Sequence, residues 1–167
     1  MIFPDLFLRS IFDITPDLLK NFNVKALILD VDNTLRVYGS LVPFAGVLGW
    51  VDSMKKAGVR LIIASNNFKN SVEPFAERLK LDCVFFSCKP LCFGLNKAAK
   101  KLKIKKSQIA VVGDQIFTDV IGGNLSGFKT VLVEPFLRES GLSFKFKRWL
   151  EKHVISYYFK NRKRKEK

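Results

Sequence analysis

Asp30 and Asp32 stand one residue apart in Asp30-Val31-Asp32-Asn33-Thr34, directly after the apolar run Val24–Leu29. On an extended chain both side chains point the same way. Like charges held that close are costly unless a cation or a proton sits between them. A carboxylate pair of this kind can divide labour, one acting as nucleophile and the other as proton donor and base. The partners for such chemistry recur further on: Ser65-Asn66-Asn67, Lys89-Pro90 and Gly113-Asp114, each following an apolar stretch. A phosphoryl group fits this set, because its negative oxygens must be neutralised before an anionic nucleophile can approach. Asp30 and Asp114 could supply carboxylates to a magnesium ion. Ser65 and neighbouring backbone amides could bind phosphate oxygens, and Lys89 adds a fixed positive charge. Acyl transfer fits poorly, since no Cys or Ser in the set has a histidine base; the chain's only histidine is His153.

Taken singly, each piece has an ordinary reading: a solvated loop, a polar turn, a surface lysine, a strand-end turn. A calcium loop opening at Asp30 is excluded, because Leu35 and Leu41 occupy the positions that need glycine and glutamate. The pieces gain meaning from the elements that carry them. Strands are predicted over 24–29, 59–64, 83–86, 108–112 and 130–133. Helices are predicted over 16–22, 47–57, 71–79, 95–102 and 118–125, the first opened by Thr15-Pro16-Asp17 as cap, first-turn proline and dipole-matched acid. Strands alternating with helices predict an α/β fold, a three-layer Rossmann-like sandwich on a mostly parallel five-stranded sheet. Ligands of such sheets bind beyond the carboxyl ends of the strands, where all four pieces lie. The expected organisation is an N-terminal arm and short helix over 1–23, a catalytic domain over 24–137 and a basic C-terminal helix and tail over 138–167. The arm is expected to cover a sheet edge.

Asp30-Val31-Asp32-Asn33-Thr34 resembles the D-x-D-x-T signature of the haloacid dehalogenase superfamily of phosphatases. Ser65, Lys89 and Gly113-Asp114-Gln115-Ile116-Phe117-Thr118-Asp119 resemble its second, third and fourth motifs. The resemblance implies Asp30 as nucleophile and metal ligand, and Asp32 as general acid/base that also lends its backbone carbonyl to the metal. It implies Ser65, Asn66 and Lys89 on the phosphate, Asp114 on Mg2+, Asp119 in support and Thr34 orienting the first loop. Between Thr34 and the second strand, and again over 66–83, there is room for little beyond one helix, so no sizeable cap domain is expected. Ser10-Ile11-Phe12-Asp13-Ile14-Thr15-Pro16, Ser65-Asn66-Asn67 and the stretch from Gly113 to Asn124 are similar to the YqeG-type branch, subfamily IIIA. That branch is similar to phosphatidylglycerophosphate phosphatases, which implies a phosphorylated lipid as substrate and a place in phospholipid biosynthesis.

The charge balance bears on the partner. Lys and Arg number 29 against 15 Asp and Glu, a net +14 over 167 residues. From Arg138 onward there are eleven basic residues against three acids. Such an excess points to a polyanion, either nucleic acid or an anionic membrane surface. Phe146, Trp149, Leu150, Tyr157 and Tyr158 fall at helical spacing among lysines, a pattern suited to a helix lying in an anionic interface. A helix packed on the domain with a solvated basic end would show the same pattern. No apolar run approaches the ~20 residues that span a bilayer, and the first residues lack a basic leader, so a cytoplasmic enzyme peripherally bound to the inner face of a membrane is expected. Cys83, Cys88 and Cys92 lack metal-site spacing and are expected as reduced thiols. Two other functions remain: a phosphatase of nucleic-acid ends or a nucleotide, and a non-catalytic basic adaptor for membrane or ribosome.

Overall fold

The computed structural model describes residues 2–136. Phe146, Trp149, Leu150, Tyr157 and Tyr158, with the rest of the basic C-terminal segment, lie outside the described residues.

The strands are β1 (Leu6–Leu8), β2 (Ala26–Leu29), β3 (Arg60–Ala64), β4 (Asp82–Val84), β5 (Ile109–Gly113) and β6 (Lys129–Val133). Helices α1 (Pro16–Asn21), α2 (Val47–Lys56), α3 (Lys69–Arg78), α4 (Cys92–Leu102) and α5 (Ile121–Ser126) alternate with them. All neighbours pair in parallel, in the order β1-β6-β5-β2-β3-β4. The sheet thus has six strands among the described residues where five were expected. The sixth comes from the N-terminal arm, which does not merely lie over the edge but joins it: Leu6–Leu8 pairs with Val131–Val133. Three residues flanked by Pro4 and a polar turn are too short to declare a strand by pattern. Their ladder is completed by Asp5, whose Oδ2 accepts the Thr130 N–H at 2.8 Å.

Period-two alternation explains the three layers. Leu27, Leu29, Leu61 and Ile63 face the α2 and α3 residues Val51, Met54, Val72 and Phe75. Ala26, Ile28, Ile62 and Ala64 face the other way, onto Leu95, Ala98 and Leu102 of α4. Since both faces of β2 are covered, all four of its residues are buried. The first helix is capped as its residues dictate: Thr15 Oγ1 accepts the Leu18 N–H at 3.2 Å, with Pro16 at the first position. The predicted helix over 118–125 begins earlier and differently, as a π-helical turn over Ile116–Val120 that runs into α5. Among the described residues no cap domain stands over the carboxyl edge. Residues 30–46 fold back on themselves, with Asn33 N–H bonded to Arg36 O at 2.8 Å and Phe44 N–H to Leu35 O at 2.9 Å. No helix among the described residues is long and apolar enough to cross a membrane.

Candidate active site

β2 lies between β3 and β5, so the chain passes from β2 to one side and later returns on the other. The crevice at this reversal is where open parallel sheets bind ligands. Asp30 leaves β2 there, its N–H bonded to Val112 O of β5 at 2.9 Å. Asp114 leaves β5 directly beside it.

Lys89 is the hub. Its buried ammonium donates to Asp30 Oδ1 at 2.5 Å and to Asp119 Oδ1 at 2.7 Å. Carboxylate oxygens of Asp30, Asp114 and Asp119 all lie within 4.8 Å of one another. Burial pushes the Asp30 carboxyl up to about 7; Lys89 opposes that shift, and the charges of Asp119 and Asp32 add to it. Burial alone would lower the Lys89 value, but the carboxylates of Asp119 and Asp30 outweigh it and raise the ammonium above its ordinary range. Three carboxylates gathered on one ammonium leave the crevice short of positive charge. Oxygen-only donors of this hardness suit Mg2+, Ca2+ or Mn2+ over softer ions. Asp119 is held at both ends by its own chain, since its Oδ2 accepts the Gln115 N–H at 3.2 Å. That fits a supporting place beside Asp30 and Asp114.

The close approach of Asp119 depends on Gly113. A Cβ at residue 113 would fall 2.2 Å from Asp119 Cγ and Oδ2, so only glycine lets the carboxylate lie against the end of β5. The π-helical turn brings Asp119 back to this spot one turn after Asp114.

Asp32 sits on the outer side of the crevice, held by three donors. Arg36 Nε reaches its Oδ1 at 3.0 Å and Gly39 N–H the same oxygen at 3.3 Å. Asn67 Nδ2 reaches its Oδ2 at 2.5 Å. Arg36 is the residue that sequence reasoning missed. It is fully buried, with its Nη atoms on Ser71 O and Oγ at 3.1 and 2.8 Å and its guanidinium 4.8 Å over the Phe75 ring. Arginine is read as a surface residue unless a partner is in view; the available signal was its place four residues after Asp32 in a loop otherwise free of charge.

Ser65 and Thr34 are buried in the crevice walls. Ser65 Oγ accepts the Asn67 N–H at 3.2 Å, and Thr34 N–H bonds Val31 O at 3.3 Å, closing the first loop. The Asn66 side chain clamps the Lys89 loop: Nδ2 donates to Lys89 O at 2.9 Å, and Oδ1 accepts the Lys89 N–H at 2.7 Å and the Ser87 Oγ–H at 2.8 Å. An amide has few bonds to give, and the Lys89 backbone takes most of them. The Lys89–Pro90 peptide is cis. Cys83, Cys88 and Cys92 are free thiols on or after β4, and none belongs to the acidic cluster.

The arrangement can bind an anion against Lys89, present a carboxylate to it from Asp30 and deliver a proton from Asp32. The family model of the haloacid dehalogenase-like hydrolases matches residues 6–127. The chain is 37% identical over 153 residues to "Probable phosphatase YqeG" of Bacillus subtilis (strain 168), covering 92% of this chain and 89% of that one. It is 24% identical over 146 residues to the chloroplastic/mitochondrial phosphatidylglycerophosphate phosphatase 1 of Arabidopsis thaliana, covering 82% of this chain and 42% of the longer plant protein. Among solved structures, the cobalt-bound deoxy-D-mannose-octulosonate 8-phosphate phosphatase of Haemophilus influenzae shares the fold, with a TM-score of 0.56, 14% identity and 77% of each chain covered.

Proposed function

The chain belongs to the haloacid dehalogenase-like hydrolases and is a phosphatase; from that premise we propose that it removes the terminal phosphate of phosphatidylglycerophosphate at the inner face of a membrane. The observation that carries the chemistry is the single buried ammonium of Lys89 joining Asp30 to Asp119, with Asp114 within 4.8 Å. An Asp30 oxygen attacks phosphorus, and the bond to the leaving oxygen breaks. Asp32, aimed by Arg36, Gly39 and Asn67, gives that oxygen its proton. Asp32 then takes a proton from water, whose oxygen attacks the aspartyl-phosphate on Asp30 and releases inorganic phosphate. Lys89 holds Asp30 in line throughout and balances the phosphoryl charge, while Ser65 and nearby amides receive the remaining oxygens. Asp30, Asp114 and the Asp32 carbonyl would hold Mg2+, which when bound offsets phosphoryl charge and lets two anions meet; Asp119 would support it.

The lipid substrate is supported by the absence of a cap over residues 30–46, by the plant phosphatase's likeness and by the net +14 charge. An open crevice admits a headgroup presented on a surface. The basic segment after Phe136, with Trp149, Tyr157 and Tyr158, would add attraction to anionic lipid. Phosphate release from phosphatidylglycerophosphate in detergent micelles tests the proposal, with Mg2+ and then with chelator, in the native chain and in Asp30→Asn. Release that needs Mg2+ and vanishes in Asp30→Asn is the expected result. Turnover confined to 3′- or 5′-phosphorylated oligonucleotides, the partner that the same positive charge would also suit, would overturn the lipid assignment. No hydrolysis of either substrate or of an aryl phosphate would overturn catalysis and favour a basic adaptor.

A further inference from the structure

Among the described residues, the most exposed large apolar side chains include a group at the carboxyl edge of the sheet. β2, β3 and β4 are parallel, so the loops leaving their carboxyl ends share the edge that holds the catalytic residues. Those loops carry Tyr38 and Val42, each 64% exposed, and Phe68 at 70%, and the first turn of α4 that follows carries Phe93 at 81%. Phe86 and Leu91 lie between them, also exposed. Each belongs to a segment that touches the catalytic centre. Tyr38 precedes Gly39, whose N–H binds Asp32. Phe68 follows Asn67, which binds the other Asp32 oxygen. Phe68 also stacks on Phe86 across the two loops, with ring centroids 5.7 Å apart. Leu91 stands two residues beyond Lys89. An exposed apolar cluster of this extent marks a contact surface on a soluble domain.

The charge of the same loops selects the partner. From Asn33 to Val51 there is no acidic residue, none from Ser65 to Val72, and none from Cys83 to Val112. These loops are therefore largely apolar and free of anionic side chains, and Lys69, at the start of α3 beside Phe68, stands exposed with Glu73 at 3.5 Å. The chain also departs from the described residues beside this face. Phe136 stacks on Phe44 at 3.7 Å and donates its N–H to Asn33 O at 3.1 Å, and the eleven basic residues from Arg138 onward follow from there.

We propose that the rim formed by the loops after β2, β3 and β4 is a docking surface for an anionic lipid bilayer, which seats the catalytic crevice directly on the headgroups. A bilayer rather than a protein as the occupant rests on the lipid-phosphate reading above. Aromatic and aliphatic side chains enter the headgroup boundary, and Lys69 with the basic residues that follow Phe136 in sequence adds attraction to the anionic surface. No cap is needed, because the bilayer itself closes the site.

The test uses the full chain and vesicles that contain no phosphatidylglycerophosphate, so that docking is read apart from turnover. Co-sedimentation is measured on vesicles of phosphatidylglycerol and phosphatidylcholine, at physiological salt and at roughly 0.5 M salt, where the charge contribution is screened. The native chain is compared with the triple variant Val42→Ser, Phe68→Ser, Phe93→Ser, and with Phe93→Ser alone in case the triple variant does not fold. Partition of the triple variant onto vesicles should fall by about tenfold or more, and that of Phe93→Ser by about threefold, at both salt levels. Turnover of a soluble aryl phosphate should stay within about twofold of native, since none of the three side chains reaches the phosphate. Native-like partition of a folded variant would overturn the proposal and leave the basic C-terminal segment as the sole contact. A native dimer that the substitutions dissociate, with vesicle binding unchanged, would overturn it in favour of a second copy on the rim. Docking without any hydrolysis of phosphatidylglycerophosphate would support the surface and sink only the substrate.

Discussion

Replacing Gly113 by alanine adds one methyl group at the tightest point of the catalytic crevice. Gly113 ends β5 in a backbone conformation that any residue can adopt, so the consequence is steric alone. The new Cβ would lie 2.2 Å from Asp119 Cγ and Oδ2, where ordinary contact begins at 3.4 Å. Asp119 must retreat by roughly 1 Å or more, and overpacking of this kind costs about 1–3 kcal/mol. The retreat also pulls Asp119 Oδ1 from Lys89, and breaking a buried ion pair outright costs about 3–5 kcal/mol. A partial opening places the sum near 2–5 kcal/mol, a fall in Tm of about 5–15 °C for a chain of this size. Urea unfolding of Gly113→Ala, Asp119→Ala and the double variant measures it. With Asp119 truncated the obstacle is gone, so alanine at 113 should then cost under about 1 kcal/mol and the cycle should show about 1–5 kcal/mol of coupling. Turnover of an aryl phosphate by Gly113→Ala should drop at least about tenfold, because Lys89 loses half its anchorage. Equal cost of Gly113→Ala in both backgrounds would refute the reasoning, as would a native Tm.

Arg36→Met leaves Asp32 with two donors in place of three and strips Ser71 of its partners, so it should lower stability by about 3–5 kcal/mol in urea unfolding; an unchanged midpoint would show that the buried guanidinium contributes nothing. Asn66→Ala removes the clamp on the Lys89 backbone and should reduce kcat by about tenfold or more with a smaller change in KM; a change in KM alone would return Asn66 to the phosphate. The Asp30 carboxyl near 7 is protonated below that pH and ionised above it. Because a cation binds only the ionised form, the gain in Tm from Mg2+ should grow as pH rises from about 5.5 to about 8. A gain that is flat or falls across that window would remove Asp30 as a ligand.

The sequence carried the chemistry better than its scaffolding. Asp30, Ser65 and Asp114 directly follow β2, β3 and β5, with Lys89 in the loop beyond β4, and a polar residue after an apolar run is a signal that needs no tertiary knowledge. The supporting contacts had no such signal. Arg36 acts on Asp32 from within the same irregular loop and Asn67 from another loop 35 residues away, and neither contact leaves a periodicity. Asn66 follows Ser65 in sequence, and nothing in that position announces that its side chain turns toward Ser87 and the Lys89 backbone. Helix starts slipped for a related reason. The lone-pair geometry that draws Asp119 onto Lys89 is reached through a π-helical turn, whereas hydrophobic spacing registers only a helix.

The pairing of β1 with β6 joins the earliest strand of the described chain to the latest, with Leu6 beside Val131 and Asp5 fastened to Thr130. During synthesis the leucines of β1 therefore have no edge to join until the chain beyond residue 133 has cleared the ribosome. Through most of translation that short apolar segment is a loose end beside a growing sheet, exposed to other chains and to chaperones. The inner strands β2, β3 and β5 can assemble before then, and with them the crevice of Asp30, Lys89 and Asp114. Catalytic geometry thus precedes the closing of the edge, and the last fastening made is the one farthest apart in the chain.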